Sequence, residues 1–404
     1  MWFIAVKMLL GDRAKTIGLI FGIAFTSFLV TFAASYFCGF MTRGFALIVE
    51  NAAADVWVMD PAVSSVEQTT NLPSWALDRV RNVDGVRSAL PLVLGSAEAR
   101  FPGGRFQALQ VIGVDDASLA GLPPLAAGAG AGVLRAAGAV AVAAGGTSGK
   151  LDTPLLGLGY GQGQGQGQWP RWRSNADTPS RELGAGDELL LNDRTVRVAA
   201  TALALPRFPP RPLVYLPLSR AVSLLSERRQ VTFVMVRVGA GEDAARLAAR
   251  ITAHTGLRAR TAAQFREDTV RWFLLNSEDV GDIASMLILA MSVGFGVTGI
   301  MLYMFTVENL PQYAVLSAMG TRRASLLAMV FTQAGVSALI GTGLGFGACA
   351  IAGQFAQMAA YPFRLMWFTP ILGGVMVFFV SLVAAGLSAR PVLRLQPALV
   401  FNGR

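Results

Sequence analysis

Long segments without a charged residue constrain this chain more than any other feature of its sequence. The first runs from Ile17 to Met41, between Lys15 and Arg43. At about 1.5 Å per residue, a helix of this length measures about 37 Å, and the apolar core of a bilayer is about 30 Å thick. Because a charge at mid-membrane costs about 2.5 to 3.5 kcal/mol, such a run indicates a membrane span.

Three further spans follow from the same criterion. The third uncharged run, from Ala324 to Phe363, is too long for one helix, so the sequence predicts a short loop over residues 352–365. The charged fraction is only 15%, against about 25% in soluble domains, which agrees with a membrane protein. The predicted spans are residues 17–41, 283–307, 325–351 and 366–389.

The basic residues of the short segments set the predicted orientation. One side of the membrane receives Lys7, Arg13, Lys15, Arg322, Arg323, Arg390, Arg394 and Arg404, whereas the other short loop has Arg364 alone. The positive-inside rule then places both termini, including the tail 390–404, in the cytoplasm. Residues 42–281 are expected outside it, in the periplasm if the membrane is a bacterial inner membrane. The first span is longer than a signal-peptide core, so we expect an uncleaved anchor.

The excess charge does not indicate a nucleic-acid-binding protein. The net charge is +9, but the segment 43–282 has 25 basic and 23 acidic residues. The excess therefore lies at the cytoplasmic membrane face, where it favours lipid contact. With His254 as the only histidine and Cys38 and Cys349 inside apolar runs, we expect no catalytic residue, metal site or bound cofactor.

The first residues, 1–16, are predicted to form an interfacial helix on the cytoplasmic side. Apolar residues recur there at helical spacing near basic ones, namely Trp2, Phe3, Val6, Leu9 and Leu10. This pattern suits a helix lying on the inner leaflet. The alternative is a plain extension of the first span.

The large outer segment has the periodicities of an α+β domain. Strands are predicted over 55–60, 85–100, 106–114, 231–238 and 257–260, and helices over 74–81 and 242–252. These elements make two strand–helix–strand units, which predict two similar lobes. Residues 125–212 between them are less regular and include a Gly-Gln repeat, predicted to be a flexible loop over 157–170.

A stalk helix is predicted over residues 262–282, leading into the second span. Thr261 can cap this helix, and Phe265, Trp272 and Phe273 lie along it. If stalk and span are one continuous helix, movement in the membrane is transmitted mechanically to the outer domain.

Within the spans, no ionisable residue is present, which favours a membrane part that transmits force over one that conducts a polar solute. Small residues recur at the spacing that lets helices approach closely, in the pairs Gly18 with Gly22 and Gly341 with Gly345. Two interpretations remain open for them: a dimer seam, or packing within one chain.

The cytoplasmic segment 308–324, between the second and third spans, contains a short predicted helix. Tyr313, Leu316 and Met319 give it an apolar face, and it stops at Gly320. Such a helix can fill a groove on a partner protein. The alternative is an interfacial helix that rests on lipid.

This segment resembles the MacB/FtsX-like ABC permease family, in particular its DevC and heme-exporter-like branch. In that family a glutamate after the second span is followed by a helix that ends in a pattern like L-x-A-[ML]-G and then by basic residues. The first span and its exit, ADVWVMDP, resemble that branch too. The positions that match the cytoplasmic pattern are Glu308, Leu316, Ala318, Met319, Gly320, Arg322 and Arg323.

The resemblance implies four transmembrane helices with a MacB-like periplasmic core domain. It implies a type VII, mechanotransmitting permease that forms a homodimer with two copies of a separate ATPase, which carries the ATP and Mg²⁺. A periplasmic adaptor, an outer-membrane channel and efflux of an amphiphilic substrate are further implications. The alternatives are a lipoprotein-releasing permease and a non-transporting regulator of envelope enzymes like FtsX.

Overall fold

In the computed structural model, the chain divides into two compact units. The first comprises Met1–Phe40 and Ser277–Arg404, and the second comprises Met41–Asn276. The structure describes residues 2–11, 13–101, 104–154, 180–225, 230–359 and 361–390. The predicted flexible loop 157–170 and all of the predicted tail except Arg390 lie outside these ranges.

The helices and strands of the described residues are numbered in chain order. The helices are α1 (Trp2–Gly11), α2 (Arg13–Gly44), α3 (Ala46–Glu50), α4 (Ala76–Arg81), α5 (Leu218–Leu224), α6 (Ala244–Thr255), α7 (Ala262–Asn276), α8 (Glu278–Glu308), α9 (Leu310–Ala318), α10 (Arg323–Met358) and α11 (Phe368–Ser388). The strands are β1 (Val56–Met59), β2 (Val86–Arg100), β3 (Phe106–Val114), β4 (Ala139–Ala143), β5 (Asp152–Pro154), β6 (Ser180–Glu182), β7 (Glu188–Leu191), β8 (Arg194–Thr201), β9 (Leu213–Pro217), β10 (Phe233–Val238) and β11 (Arg258–Thr261).

Four helices of the first unit, α2, α8, α10 and α11, are long and apolar enough to cross a membrane. Together with the mixed helix and strand content of the second unit, they confirm the predicted fold class. Helices α2 and α10 extend past the spans predicted for them, since α2 begins at Arg13 and α10 ends at Met358.

Helices α8, α10 and α11 each present a glycine to α2. A methyl group added at Gly345 of α10 would lie 2.5 Å from the Ala24 carbonyl oxygen, and one at Gly294 of α8 would lie 2.1 Å from the Thr26 methyl carbon. At Gly373 of α11 it would lie 2.5 Å from the Thr31 hydroxyl oxygen. Since small residues allow helix backbones to approach closely, α2 is the helix on which the bundle is built.

The four glycines singled out from the sequence all lie at helix contacts within the chain. Added methyl groups would come within 2.8 Å of Ile23 at Gly341, within 3.1 Å of Val297 at Gly22, and within 4.0 Å of Met301 at Gly18. The fourth, Gly345, packs on α2. A dimer seam at these residues stays a prediction.

The predicted short loop folds onto the bundle. The Arg364 amide donates to the Ser35 carbonyl oxygen at 3.1 Å, and the Phe363 ring lies 5.2 Å from the Phe32 ring, centroid to centroid. Phe363 is buried as a result, so this loop closes one end of the helix bundle.

The two strand–helix–strand units of the second unit share one sheet. The first is β1-α4-β2 and the second is β10-α6-β11, and the strand order is β11-β1-β10-β2 with antiparallel neighbours. This is the arrangement of a ferredoxin-like βαββαβ fold. The core between this sheet and its helices includes Val80, Leu247 and Ile251. The two strand–helix–strand units therefore do not form two similar lobes but interleave in one sheet, which makes up the first lobe of the domain.

The second lobe is a small barrel inserted between β2 and β10. Its strands follow the order β2-β3-β9-β4-β8-β7, and β7 pairs back with β2 through Leu191 and Ala99, which closes the ring. Strand β2 belongs to both lobes, since residues up to Leu92 pair with β10 and residues from Val93 pair with β3. Three barrel strands, β4, β7 and β8, lie in the part of the sequence interpreted as irregular.

The stalk and the second span are separate helices. Helix α7 begins with the expected cap, because the Thr261 hydroxyl accepts from the Gln264 amide at 3.2 Å while the Gln264 side chain accepts from the Thr261 amide at 3.1 Å. It ends at Asn276, whose side chain donates to the Trp272 carbonyl oxygen at 2.9 Å. Ser277 is extended, with φ −95° and ψ 123°. Polar side chains that bond their own backbone compete with helix hydrogen bonds, which accounts for the break.

The irregular segment 203–212 is held by two ion pairs. Arg207 pairs with Glu50, and both side chains are at most 6% exposed. Arg211 pairs with the partly buried Glu67. Burial raises the pKa of both carboxyl groups, and the neighbouring arginines oppose that rise. The Arg207 guanidinium also contacts the hydroxyl of the buried Tyr215 at 3.4 Å.

The glycine contacts on α2 predict that an alanine lowers the stability of the protein much more at one position of α10 than at another position two residues away. Gly345→Ala should lower the thermal unfolding midpoint of the protein in detergent, because the methyl group must displace backbone at a cost of about 1 to 3 kcal/mol. Gly343→Ala is the control, since its added methyl meets nothing within 4 Å. Equal midpoints for the two variants would contradict the packing of α10 on α2.

The buried ion pair of Glu50 and Arg207 predicts a difference in stability between a single and a double variant. Glu50→Gln leaves the Arg207 guanidinium buried without its carboxylate, which should destabilise the second unit by about 3 to 5 kcal/mol. The double variant Glu50→Gln/Arg207→Met removes both charges and should be more stable than the single variant. Hydrogen exchange of the 203–217 backbone in the full-length protein measures this, and a double variant no better protected than the single one would argue against it.

Candidate functional site

The candidate site is built around α9, a short helix set directly after α8. Only Asn309 separates the two helices, and its side chain donates to the Phe305 carbonyl oxygen at 2.7 Å. Pro311 lies in the first turn of α9, where its missing N–H is not needed. The junction therefore gives a fixed elbow at the end of α8.

Helix α9 ends just before Gly320, the glycine at which the sequence predicts that it stops. Gly320 has φ +88°, and its amide donates to the Ser317 carbonyl oxygen at 3.0 Å. The Thr321 amide donates to the Leu316 carbonyl oxygen at 3.1 Å. This pair of bonds is a Schellman motif, which requires a left-handed residue and so favours glycine.

The apolar residues of α9 do not form one face. Tyr313 and Ala314 are fully buried and Leu316 is partly buried, whereas Met319 is 69% exposed and Val315 is 45% exposed. Apolar residues lie all around this helix, so spacing alone did not separate the buried side from the exposed one. The exposed surface of α9 consists of Pro311, Gln312, Val315, Ala318 and Met319.

A chain of buried hydrogen bonds links α9 to α10 and α1. The Tyr313 hydroxyl donates to the Gln333 amide oxygen at 2.7 Å, and the Gln333 amide nitrogen donates to the Ala5 carbonyl oxygen at 3.2 Å. Tyr313 and Gln333 are each at most 1% exposed. Burial raises the pKa of Tyr313 to about 12, so its hydroxyl stays protonated and able to donate. We call Tyr313, Gln333 and Ala5 the polar relay.

Sequence reasoning missed Gln333. The available signal was an amide side chain inside an otherwise apolar span, since polar groups in membrane helices commonly bond across helices.

Helix α1 packs against the bundle with one face. Ala5 and Leu9 are buried in a cluster with Met329 and Val330 of α10, while Phe3 is 67% exposed. An interfacial position for α1 agrees with this two-sided burial and stays a prediction.

The end of α8 lies beside the start of α2. Glu308 Oε2 is 2.6 Å from Lys15 Nζ, and both side chains are more than 40% exposed. An exposed pair of this kind contributes less than about 1 kcal/mol, so it orients the helix ends more than it stabilises them. Arg322 and Arg323 are exposed at the start of α10.

The predicted stalk residues lie inside the second unit. Phe265 is fully buried between Trp57 and Phe233, with ring centroids 5.8 Å from each. Phe273 packs on Gly44, where an added methyl would lie 2.7 Å from its ring. Trp272 stacks edge-on with Phe273 at 5.3 Å. Phe265 and Phe273 therefore fix α7 to its own domain.

Among the described residues, no group of three His, Cys, Asp or Glu side chains is arranged to hold a metal ion. The expectation that this chain binds no cofactor stays a prediction.

The membrane helices that carry the site are similar to a known class of permease domain. Residues 284–397 match the family described as FtsX-like permease C-terminal, which covers α9, α10, α11 and most of α8. The resemblance to FtsX-like permeases found in the sequence is thereby confirmed for this part of the chain. The DevC branch stays a prediction.

Solved structures similar to the chain include two transporter domains. One is the extracellular domain of the noncanonic ABC-type transporter YknZ from Gram-positive bacteria, with 11% identity, a TM-score of 0.32, and coverage of 52% of this chain and 98% of that chain. The other is the periplasmic region of MacB from Actinobacillus actinomycetemcomitans, with 13% identity, a TM-score of 0.35, and coverage of 58% and 96%. Among curated proteins, no sequence matches the chain.

The polar relay predicts a specific effect on α1. Gln333→Leu leaves the buried Tyr313 hydroxyl without its acceptor and removes the bond from α10 to the Ala5 carbonyl oxygen, which should cost about 1 to 3 kcal/mol. Hydrogen exchange in residues 2–11 should become faster. The matched control is Tyr313→Phe/Gln333→Leu, which removes the orphaned hydroxyl and should recover part of the stability. Unchanged exchange in the single variant would show that the relay does not hold α1.

Proposed function

We propose that this chain is the permease subunit of an ABC transporter whose ATP is hydrolysed by a separate subunit. The supporting observation is α9, an elbow of FtsX-like sequence that exposes Val315 and Met319 between two membrane helices. Exposed apolar side chains on a short rigid helix fit a groove on a partner protein. ATP and Mg²⁺ belong to that ATPase, of which two copies are expected.

Force applied at α9 has two routes into the bundle. One is the single-residue elbow at Asn309, which joins α9 to α8. The other is the polar relay, which joins α9 to α10 and α1. These links support a mechanotransmitting permease, in which Arg322, Arg323 and Glu308 flank the surface that receives the ATPase. Because Ser277 is extended, movement is not transmitted from α8 to the outer domain along one unbroken helix.

The proposed assembly is a homodimer in a bacterial inner membrane. Of the four spans, α8 is the least covered by its own chain. In its most apolar stretch 22% of the residues are buried, against 44% in that of α2. This uncovered surface is available to lipid or to a second copy. Both termini are proposed to be cytoplasmic and the outer domain periplasmic, which the distribution of basic residues supports.

The proposed substrate class is an amphiphile handled on the outer side of the membrane. The supporting observation is that the described parts of the spans contain no charged side chain at mid-membrane to bind a polar solute. A periplasmic adaptor and an outer-membrane channel are proposed further partners.

The α9 surface supplies the test. Met319→Glu places a charge on the most exposed apolar side chain of the proposed contact. It should weaken binding of the ATPase by about 2 kcal/mol or more, which is about a thirtyfold loss. Co-purification with the ABC ATPase of the same genome, and its ATP hydrolysis in nanodiscs, measure the effect. Met319→Leu is the control and should behave like the wild type. Full coupling in the Met319→Glu protein would refute this docking surface.

A further inference from the structure

Exposed apolar residues lie on two segments of the outer domain that meet where the Phe208 ring contacts the Phe273 ring. Leu203 and Leu205 belong to the irregular segment between β8 and β9, and Leu274 and Leu275 belong to the last turn of α7. Their exposed fractions are 62%, 41%, 48% and 77%, respectively. Together with the half-buried Phe208, we call these residues the apolar rim.

The apolar rim lies where the chain enters and leaves the domain. Gly44, at the end of α2, packs on the ring of Phe273, near the end of α7. The Phe208 ring lies 6.3 Å from the Phe273 ring, centroid to centroid, and Leu274 and Leu275 follow Phe273 directly. Gly44 comes three residues after Met41, the end of the first predicted span, which is about 4.5 Å along a helix. The end of α7 therefore lies beside the end of α2, about one turn past the first predicted span.

The segment that carries the leucines is fixed in place. The Leu205 amide donates to the Glu50 carboxylate, and the same carboxylate pairs with Arg207. The Arg207 amide donates to the Gly145 carbonyl oxygen at 3.0 Å. The Leu203 amide donates to the Pro124 carbonyl oxygen at 2.8 Å. Because the backbone at Leu203, Leu205 and Arg207 is bonded to the domain, this segment cannot turn its leucines inward without breaking these bonds. Their exposure is built into the fold.

We propose that the apolar rim rests in the outer leaflet, with its leucines among the lipid headgroups and the upper acyl chains. Leucines beside the half-buried Trp272 and the exposed Arg271 have the composition of an interfacial surface. Only Asn276 and Ser277 separate Leu275 from the start of α8, which supports lipid as the occupant. A segment in this position meets amphiphiles at the membrane surface and contacts the stalk through Phe208 and Phe273.

This proposal depends on α2 crossing the membrane and not on the ATPase. Its test therefore separates it from the proposed function, because a failure of ATPase coupling leaves the lipid contact of the rim unchanged.

The experiment places a fluorescent label at single cysteines of the full-length protein. Leu205→Cys and Leu275→Cys are made in a Cys38→Ala/Cys349→Ala background and carry an environment-sensitive dye. The control is Ala245→Cys, an exposed position on α6 in the same domain. Each protein is reconstituted into vesicles of phosphatidylcholine and phosphatidylglycerol, with or without lipids brominated near the top of the acyl chain. Iodide serves as the water-borne quencher.

The expected result is that dyes at Leu205→Cys and Leu275→Cys lose about half of their fluorescence to brominated lipid, because an interfacial residue lies within a few ångströms of the upper acyl chains. They should be protected from iodide, and the Ala245→Cys dye should show the opposite pattern. Quenching of the rim dyes by iodide and not by bromine would overturn the proposal. Protection of the rim dyes from both quenchers would also overturn the proposal. Excimer formation between pyrene labels at the same positions would then show that a second copy of the chain covers the rim.

Discussion

Close contact between α2 and the three other spanning helices is the constraint on which the membrane unit depends. Lipid offers no hydrophobic drive for helices to associate, so their contact relies on close packing and on a few polar bonds. Gly294, Gly345 and Gly373 remove the side chains that would keep α8, α10 and α11 away from α2. Thr26 and Ser27 then bond across to Thr298 and to the Thr342 carbonyl oxygen at 3.5 and 3.3 Å. With the bundle fixed in this way, α9 has a rigid base.

The polar relay shows how a membrane bundle can hold a short helix that has few contacts of its own. Nine residues are too few for a stable isolated helix, since helices shorter than about 12 to 15 residues are marginal in water. Helix α9 is stabilised instead by the buried Tyr313 hydroxyl, the elbow at Asn309 and the cap at Gly320. The same bonds leave its exposed apolar side chains in a fixed position. A force-transmitting contact requires a helix that is rigidly held on its buried face and apolar on its exposed face.

Much of the outer domain was predictable element by element, whereas its topology was not. Strand β3 and helices α4, α6 and α7 follow from alternation, helical spacing and the Thr261–Gln264 cap. The barrel strands β4, β7 and β8 were missed because a segment such as AVAVA gives only a weak strand signal until its neighbours surround it. Interleaving of the two strand–helix–strand units was equally hidden, because it is decided by pairings such as Val56 with Val236, which are far apart in sequence. In the candidate site, Tyr313 and Met319 were both assigned to the apolar face of the predicted helix, and only the packing of α1 and α10 makes one buried and the other exposed.

The sequence by itself determined the number of apolar helices, their order, the α+β character of the outer segment and the resemblance to FtsX-like permeases. These properties depend on composition and local periodicity, which each segment carries alone. The tertiary structure decided which glycines meet α2, that Gln333 bonds Tyr313 and the Ala5 carbonyl, that Ser277 separates stalk from span, and that Leu203 and Leu205 stay exposed. Each of these results depends on groups distant in sequence or on competing local bonds, whose balance is fixed only when the folded chain brings them together.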